Sequence, residues 1–193
     1  MDTFNYAIYV ISDSIAILKK AVDDGATIVQ LRDKSGNLES IRKKSREMIL
    51  YKQSRDFIFI LNDYPELAVE VSADGIHIGQ DFKTKEARRI VGLDLIIGKS
   101  THSLSQGLEA QKDGTNYISV GPVFLTPTKP GRKAVGLDYV REAAEKISLP
   151  FVAIGGIDLD NVGTVLKAGA KTIGIVRAAP DVPQFLKLIR ENK

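Results

Sequence analysis

Cysteine is absent from the 193-residue chain. That excludes a disulfide framework and any thiolate metal site. No apolar run approaches the ~20 residues that a membrane-spanning helix needs. The opening stretch MDTFNYAIYVISDS lacks a basic segment followed by a cleavage site. These absences make a cytoplasmic protein the expectation, with no membrane partner. Histidine occurs only as His77 and His102, at a spacing that gives no argument for zinc. Net charge is +3, a mild excess that attracts anions but is too small to argue for nucleic acid. The basic residues are interspersed with acids, as between Glu39 and Arg55, and read as a solvated helix face.

Nucleotide signatures are missing too. No G-x-G-x-x-G follows the first apolar run, so a dinucleotide fold has no support. Gly98-Lys99-Ser100-Thr101 mimics the end of a P-loop, but the earlier glycine would have to stand at Leu93, and the nearest is Gly92. There is no Pro/Gly/Ser-rich linker and no low-complexity segment. One domain, residues 1–193, is expected.

What is present is alternation. Short apolar runs occupy Tyr6–Ser12, Ile28–Leu31, Phe57–Leu61, Gly75–Ile78, Leu95–Gly98, Tyr117–Val120, Phe151–Ile154 and Thr172–Val176. Each has strand length, and most are rich in Ile, Val or aromatics. Segments of helical periodicity separate them. Ile15, Leu18, Ala21 and Val22 share one face; Leu38, Ile41, Ser45, Met48 and Ile49 share another; Val162, Val165, Leu166 and Ala168 mark a third. Asp138 places a carboxylate in the first turn of a further helix. Eight strands alternating with eight helices predict a parallel sheet buried on both faces. The count favours a closed (β/α)8 TIM barrel over a doubly wound sheet. A barrel usually needs about 250 residues, so this one must be compact with short loops.

In such a barrel the chemistry lies just after the strands, and the polar residues collect there. Arg32, Asp33 and Lys34 follow the second run, Asn62 and Asp63 the third, Gln80 and Asp81 the fourth. Ser100, Thr101 and His102 follow the fifth. A long loop from Gly121 to Gly131 follows the sixth, and Gly155-Gly156 the seventh. Arg32, Lys34 and Lys129 could converge on a polyanion. Asp63 and Asp81, on neighbouring strands, suit Mg2+, which prefers oxygen ligands. Gly155-Gly156 ahead of a helix could offer N–H groups to a phosphate. Blander alternatives stand beside these. Asp63 before Tyr64-Pro65 could be a helix cap, the glycine pair a tight turn, prolines 122, 127 and 130 simple stiffeners, and His77 a satisfied core histidine. His102 is the better placed of the two for acid/base work.

Seven motifs then carry a resemblance: Val29-Gln-Leu-Arg-Asp-Lys34, Leu61-Asn-Asp63, Gly75-Ile-His-Ile-Gly-Gln80, Ile97-Gly-Lys-Ser-Thr-His102, Tyr117-Ile-Ser-Val-Gly-Pro-Val-Phe124, Thr126-Pro-Thr-Lys-Pro130 and Ala153-Ile-Gly-Gly-Ile157. From Tyr6 to about Ala178 the chain resembles the thiamine-phosphate synthase (thiamine-phosphate pyrophosphorylase) family. The resemblance implies a TIM-barrel transferase of thiamine biosynthesis. It would join 4-amino-2-methyl-5-hydroxymethylpyrimidine diphosphate to a thiazole phosphate, giving thiamine phosphate and pyrophosphate. It implies that Gln30, Arg32, Lys34, Asn62, Ser100 and Lys129 hold the diphosphate, that Asp63 and Asp81 hold Mg2+, and that Thr126, Thr128 and Gly156 hold the thiazole phosphate. Val176 and Arg177 adjoin that phosphate, and Lys129, Ser100, Arg32 and His102 are the residues expected at the chemistry. A homodimer is the assembly expected.

Three departures from the family stand out. The loop Gln80-Asp81-Phe82 is one residue short, the last strand ends Val176-Arg177 where the family has Val-Ser, and the loop after Asp13 is short. Two other readings share the fold. One is a metal-free thiazole tautomerase using His102; the other is a non-catalytic paralogue that binds thiamine phosphates.

Overall fold

A computed structural model describes residues 4–5, 7–127, 131 and 133–192. Eight parallel strands close into a barrel in sequence order, each hydrogen-bonded to the next and the eighth to the first. They are β1 (Ile8–Ser12), β2 (Ile28–Leu31), β3 (Ile58–Asn62), β4 (Gly75–Ile78), β5 (Ile96–Thr101), β6 (Tyr117–Val120), β7 (Phe151–Ile154) and β8 (Thr172–Ile175). The helices between and after them are α1 (Ile15–Asp23), α2 (Leu38–Lys52), α3 (Pro65–Glu70), α4 (Thr84–Val91), α5 (Leu104–Lys112), α6 (Gly136–Lys146), α7 (Val162–Lys167) and α8 (Val182–Glu191). All eight predicted strands are found. The largest change in a boundary is β5, which starts one residue later and runs three residues further, so that Ser100 and Thr101 are strand residues. Among the described residues, no helix is long and apolar enough to cross a membrane.

The helical faces form as expected for α1, where Ile15, Leu18, Ala21 and Val22 are buried. In α2, Ile41, Ser45 and Met48 are buried, but Leu38 is 48% exposed. It is the first residue of its helix. Asp138 sits in the first turn of α6 as expected. The bottom connections are plain helix endings: Gly25 and Gly169 take positive φ where the chain leaves α1 and α7.

Two apolar clusters divide the work. The larger fills the layer between strands and helices, with Ile8, Val10, Val29, Leu31, Phe59 and Phe185 among its members. The smaller comprises Ala7, Tyr9, Ile28, Ile60, Tyr117 and Val152. Its members come from the strands and their leading edges alone, so it is the barrel interior. Strand side chains alternate between faces. The inner row of β2 therefore runs Ile28, Gln30 and on to Arg32; that of β3 runs Ile60, Asn62; that of β6 runs Tyr117, Ser119. Each inner row is apolar or aromatic at depth and polar at its C-terminal end. This gradient sets the site.

Candidate active site

Two cavities open at the C-terminal end of the barrel. One, of about 330 Å³, is lined by Gln30, Arg32, Lys34, Asn62, His77 and Ser100, with Tyr9 at its floor. The other, of about 340 Å³, is lined by His102, Thr126, Gly155, Gly156, Val176 and Arg177, together with Ser100. Ser100, Ser119, Ile154 and Val176 line both. The cavities therefore adjoin along one seam, and Ser100 stands on it.

The first cavity gathers Gln30, Arg32, Lys34, Asn62 and Ser100. Arg32 forms no ion pair with any described residue, which leaves its fork of donors for a ligand. Its backbone N–H donates to the Ser12 carbonyl at 2.9 Å, tying the β2 loop to β1. Asp33 faces away. Its side chain is buried and takes hydrogen bonds from Lys44 (2.6 Å) and the Ser35 N–H (2.9 Å), which hold its carboxyl down at about 2. Lys34 pairs with Asp63. Asp63 has φ 67°, and its N–H donates to the His77 carbonyl at 3.0 Å. It is not a helix cap, because α3 begins after Tyr64 with no capping side chain. Asp81 lies on the exposed turn after β4, three residues beyond Ile78. Neither Asp63 nor Asp81 lines a cavity wall. Among the described residues, no group of three or more His, Cys, Asp or Glu is arranged to hold a metal.

The second cavity gathers His102, Thr126, Gly156, Val176 and Arg177. Arg177 is exposed and makes no ion pair with a described residue; it lines the cavity beside Gly156. His102 donates from Nδ1 to the Gly121 carbonyl, which ties the ring to the start of the loop after β6. The glycine pair differs from expectation. Helix α7 begins only at Val162, so Gly155 and Gly156 do not form its N-terminus. They are required for another reason. Both have positive φ, and a Cβ on Gly155 would strike Pro122 while one on Gly156 would strike Phe124 and the Leu125 carbonyl. The β6 loop is packed onto them, with Val123 N–H donating to the Ile154 carbonyl and Phe124 N–H to the Gly155 carbonyl, each at 2.9 Å. Thr128, Lys129 and Pro130 lie outside the described residues.

The sequence reading missed a buried polar chain. Gln30 Nε2 donates to the Tyr9 hydroxyl (2.6 Å), which meets the Tyr117 hydroxyl (2.8 Å). Tyr117 meets His77 Nδ1 (2.9 Å), and His77 Nε2 meets Ser100 Oγ (3.0 Å). Gln30, Tyr9 and Tyr117 are at most 1% exposed and His77 is 7% exposed. Burial pushes both phenols well above the usual tyrosine range, so both stay protonated. His77 is thus a satisfied core histidine, and it also lines the cavity. One sequence signal pointed here: Gly98, in the middle of β5. A Cβ there would overlap the Tyr117 ring; a glycine inside a strand marks such a close approach.

A sequence profile described as Thiamine monophosphate synthase matches residues 6–179. The chain belongs to this family. It is 44% identical over 179 residues to the thiamine-phosphate synthase of Thermus thermophilus, covering 90% of this chain and 86% of that one. It is 41% identical over 175 residues to that of Shouchella clausii, covering 88% and 84%. The solved thiamine phosphate pyrophosphorylase of Pyrococcus furiosus superposes with a TM-score of 0.90 at 30% identity, over 98% of each chain.

Proposed function

We propose that this chain is a transferase of thiamine biosynthesis that joins the pyrimidine diphosphate to a thiazole phosphate, releasing thiamine phosphate and pyrophosphate. The observation that carries the reading is the pair of adjoining cavities with Ser100 on their seam. Two separate phosphorylated substrates need two chambers, and bond exchange needs the chambers to meet. The relatives carry the synthase name, which leaves the tautomerase and the non-catalytic paralogue without support.

In this reading Gln30, Arg32, Lys34, Asn62 and Ser100, with Lys129, hold the diphosphate. Thr126, Thr128, Gly156, Val176 and Arg177 hold the thiazole phosphate. The bond between the pyrimidine methylene and the diphosphate oxygen breaks, and its electron pair leaves with pyrophosphate. The thiazole nitrogen then donates its lone pair to the methylene carbon. Charge stabilisation and placement do most of the work in such a displacement. Arg32 brings a fixed fork of donors to the departing charge. Arg177, in place of the family's serine, adds a full charge beside the second phosphate. His102, with its Nδ1 proton held by the Gly121 carbonyl, lines the second chamber.

The donor set suits Mg2+. Asp63 and Asp81 offer oxygen ligands beyond neighbouring strands, and Lys34 already sets one positive charge against Asp63. Asp63 and Asp81 would hold the ion, which would supply Lewis-acid stabilisation of the diphosphate. Cytoplasmic residence and a homodimer belong to the same reading; light scattering after size-exclusion chromatography tests the second. The activity test is direct. Purified protein given both substrates and Mg2+ forms thiamine phosphate and pyrophosphate in equal amounts, and EDTA stops it. No product under these conditions overturns the function; turnover indifferent to EDTA overturns the metal.

A further inference from the structure

The Ser100–His77 contact at 3.0 Å has the spacing of a serine nucleophile and its base. Its polarity decides whether it is one. Gln30 supplies the direction, because its amide nitrogen can only donate. Tyr9 therefore accepts from Gln30, and its own proton goes to Tyr117. With that acceptance made, the Tyr117 proton goes to His77 Nδ1. The opposite direction would leave a fully buried O–H without an acceptor, which folded proteins avoid. His77 Nδ1 is thus an acceptor, and the ring carries its proton on Nε2, aimed at Ser100 Oγ.

We infer that His77 is a positioning residue, locked by Tyr9 and Tyr117 in the Nε2–H tautomer so that Ser100 accepts from His77 and turns its own hydroxyl proton toward the ligand. Ser100 is then a fixed donor and not an activated nucleophile. Its Oγ accepts from the imidazole, and no described residue takes its proton. It stands on the seam between the cavities, where it can donate to the oxygen that receives the bond pair as pyrophosphate leaves. A donor oriented in advance costs no reorganisation at that moment. No covalent serine intermediate forms, and no proton moves along the chain. The geometry also accounts for the expenditure of a glycine at position 98, which admits the Tyr117 ring beneath His77.

This inference rests on the proposed transferase activity for its kinetic arm only. With two histidines in the chain, nitrogen-15 labelling of histidine in the full-length protein gives two ring systems, assigned with His77→Gln. In the free protein His77 shows a pyridine-like Nδ1 and a pyrrole-like Nε2. The opposite tautomer overturns the inference whether or not the protein turns over. Tyr117→Phe releases the lock and yields a mixture of tautomers; an unchanged tautomer overturns it. In the synthase assay His77→Gln, whose amide N–H sits where Nε2 sat, keeps kcat within about threefold, whereas His77→Asn, which cannot reach Ser100, lowers kcat about tenfold with KM within about twofold. Equal losses in both variants, or a loss confined to KM, would mean that His77 only packs. Absence of wild-type turnover instead refutes the transferase reading, and the tautomer measurement still stands.

Discussion

Replacing Gly98 by alanine tests the packing on which the site depends. The added methyl would lie closer to the Tyr117 ring than the 3.0 Å that Cβ atoms essentially never undercut. Relief requires the ring or the strand to move. The ring is fully buried, stacks on Phe4 at 4.6 Å and is hydrogen-bonded on both sides by Tyr9 and His77. Strand β5 is hydrogen-bonded to β4 and β6. Overpacking a core costs ~1–3 kcal/mol, and these restraints put Gly98→Ala at about 3. For a chain of this size each kcal/mol moves Tm by roughly 2–4 °C, so the variant should melt about 6–12 °C lower by circular dichroism. Gly163, inside α7 with nothing within 4 Å of a Cβ, is the control. There the same substitution should stabilise by ~0.5–1 kcal/mol. Gly98→Ala with Tyr117→Leu makes room for the methyl, and the two changes should couple favourably by about 1–3 kcal/mol. A Gly98→Ala protein that melts within 2 °C of wild type, or a double variant whose losses simply add, would refute the account.

The remaining predictions address the ligands. Arg177→Ala should raise KM for the thiazole phosphate about 10- to 100-fold, the worth of a hydrogen bond to a charged group, and leave KM for the diphosphate nearly unchanged; an unaltered or improved thiazole KM would mean that Arg177 crowds the phosphate. Asp63→Ala should shift the Mg2+ titration of kcat at least tenfold to higher concentration, while Lys34→Ala should shift it slightly lower, because an exposed ion pair is worth under ~1 kcal/mol and yields readily to the metal. Asp33 is held at about 2, below its unfolded value near 3.9, by its Lys44 and Ser35 hydrogen bonds. Its stabilisation is complete above about pH 4 and disappears as pH falls toward 2. Asp33→Asn should therefore melt below wild type at pH 7, with the gap closing between pH 4 and 2; a gap that persists at pH 2 counts against the assignment.

Much of the barrel was legible because its strands are short Ile/Val-rich runs between clear helical periods. All eight runs became strands, and Gln30, Arg32, Lys34, Asn62 and Ser100 met in one cavity. Position near the C-terminal ends of the strands was enough to locate Arg32, Lys34, Asn62 and Ser100, whereas Gln30, inside β2, was reached only through the family resemblance. The register of their faces was not legible. Strand β1 reads Ile8-Tyr9-Val10-Ile11, apolar on both sides, since a parallel sheet in a barrel is covered on both. Nothing in that run says that Tyr9 faces inward and Val10 outward. The polar chain from Gln30 to Ser100 joins four inner-row residues from other strands to Tyr9, so it appears only once the barrel closes.

The same closure explains what the glycines are for. The P-loop match at Gly98 fails in the sequence without giving that glycine a role, and Gly155-Gly156 reads there either as a helix N-terminus or as a tight turn. In the fold each yields space to an aromatic or a loop arriving from elsewhere in the chain. Gly98 admits Tyr117, and the glycine pair admits Pro122 and Phe124. In both cases strand β6 or the loop that follows it is the visitor. Aromatic bulk from β6 fixes His77 and so Ser100 on the seam, while the β6 loop, pinned to the glycine pair, brings Thr126 to the wall of the second chamber. The two chambers are therefore built around one strand, and a change in how β6 seats should be felt in both.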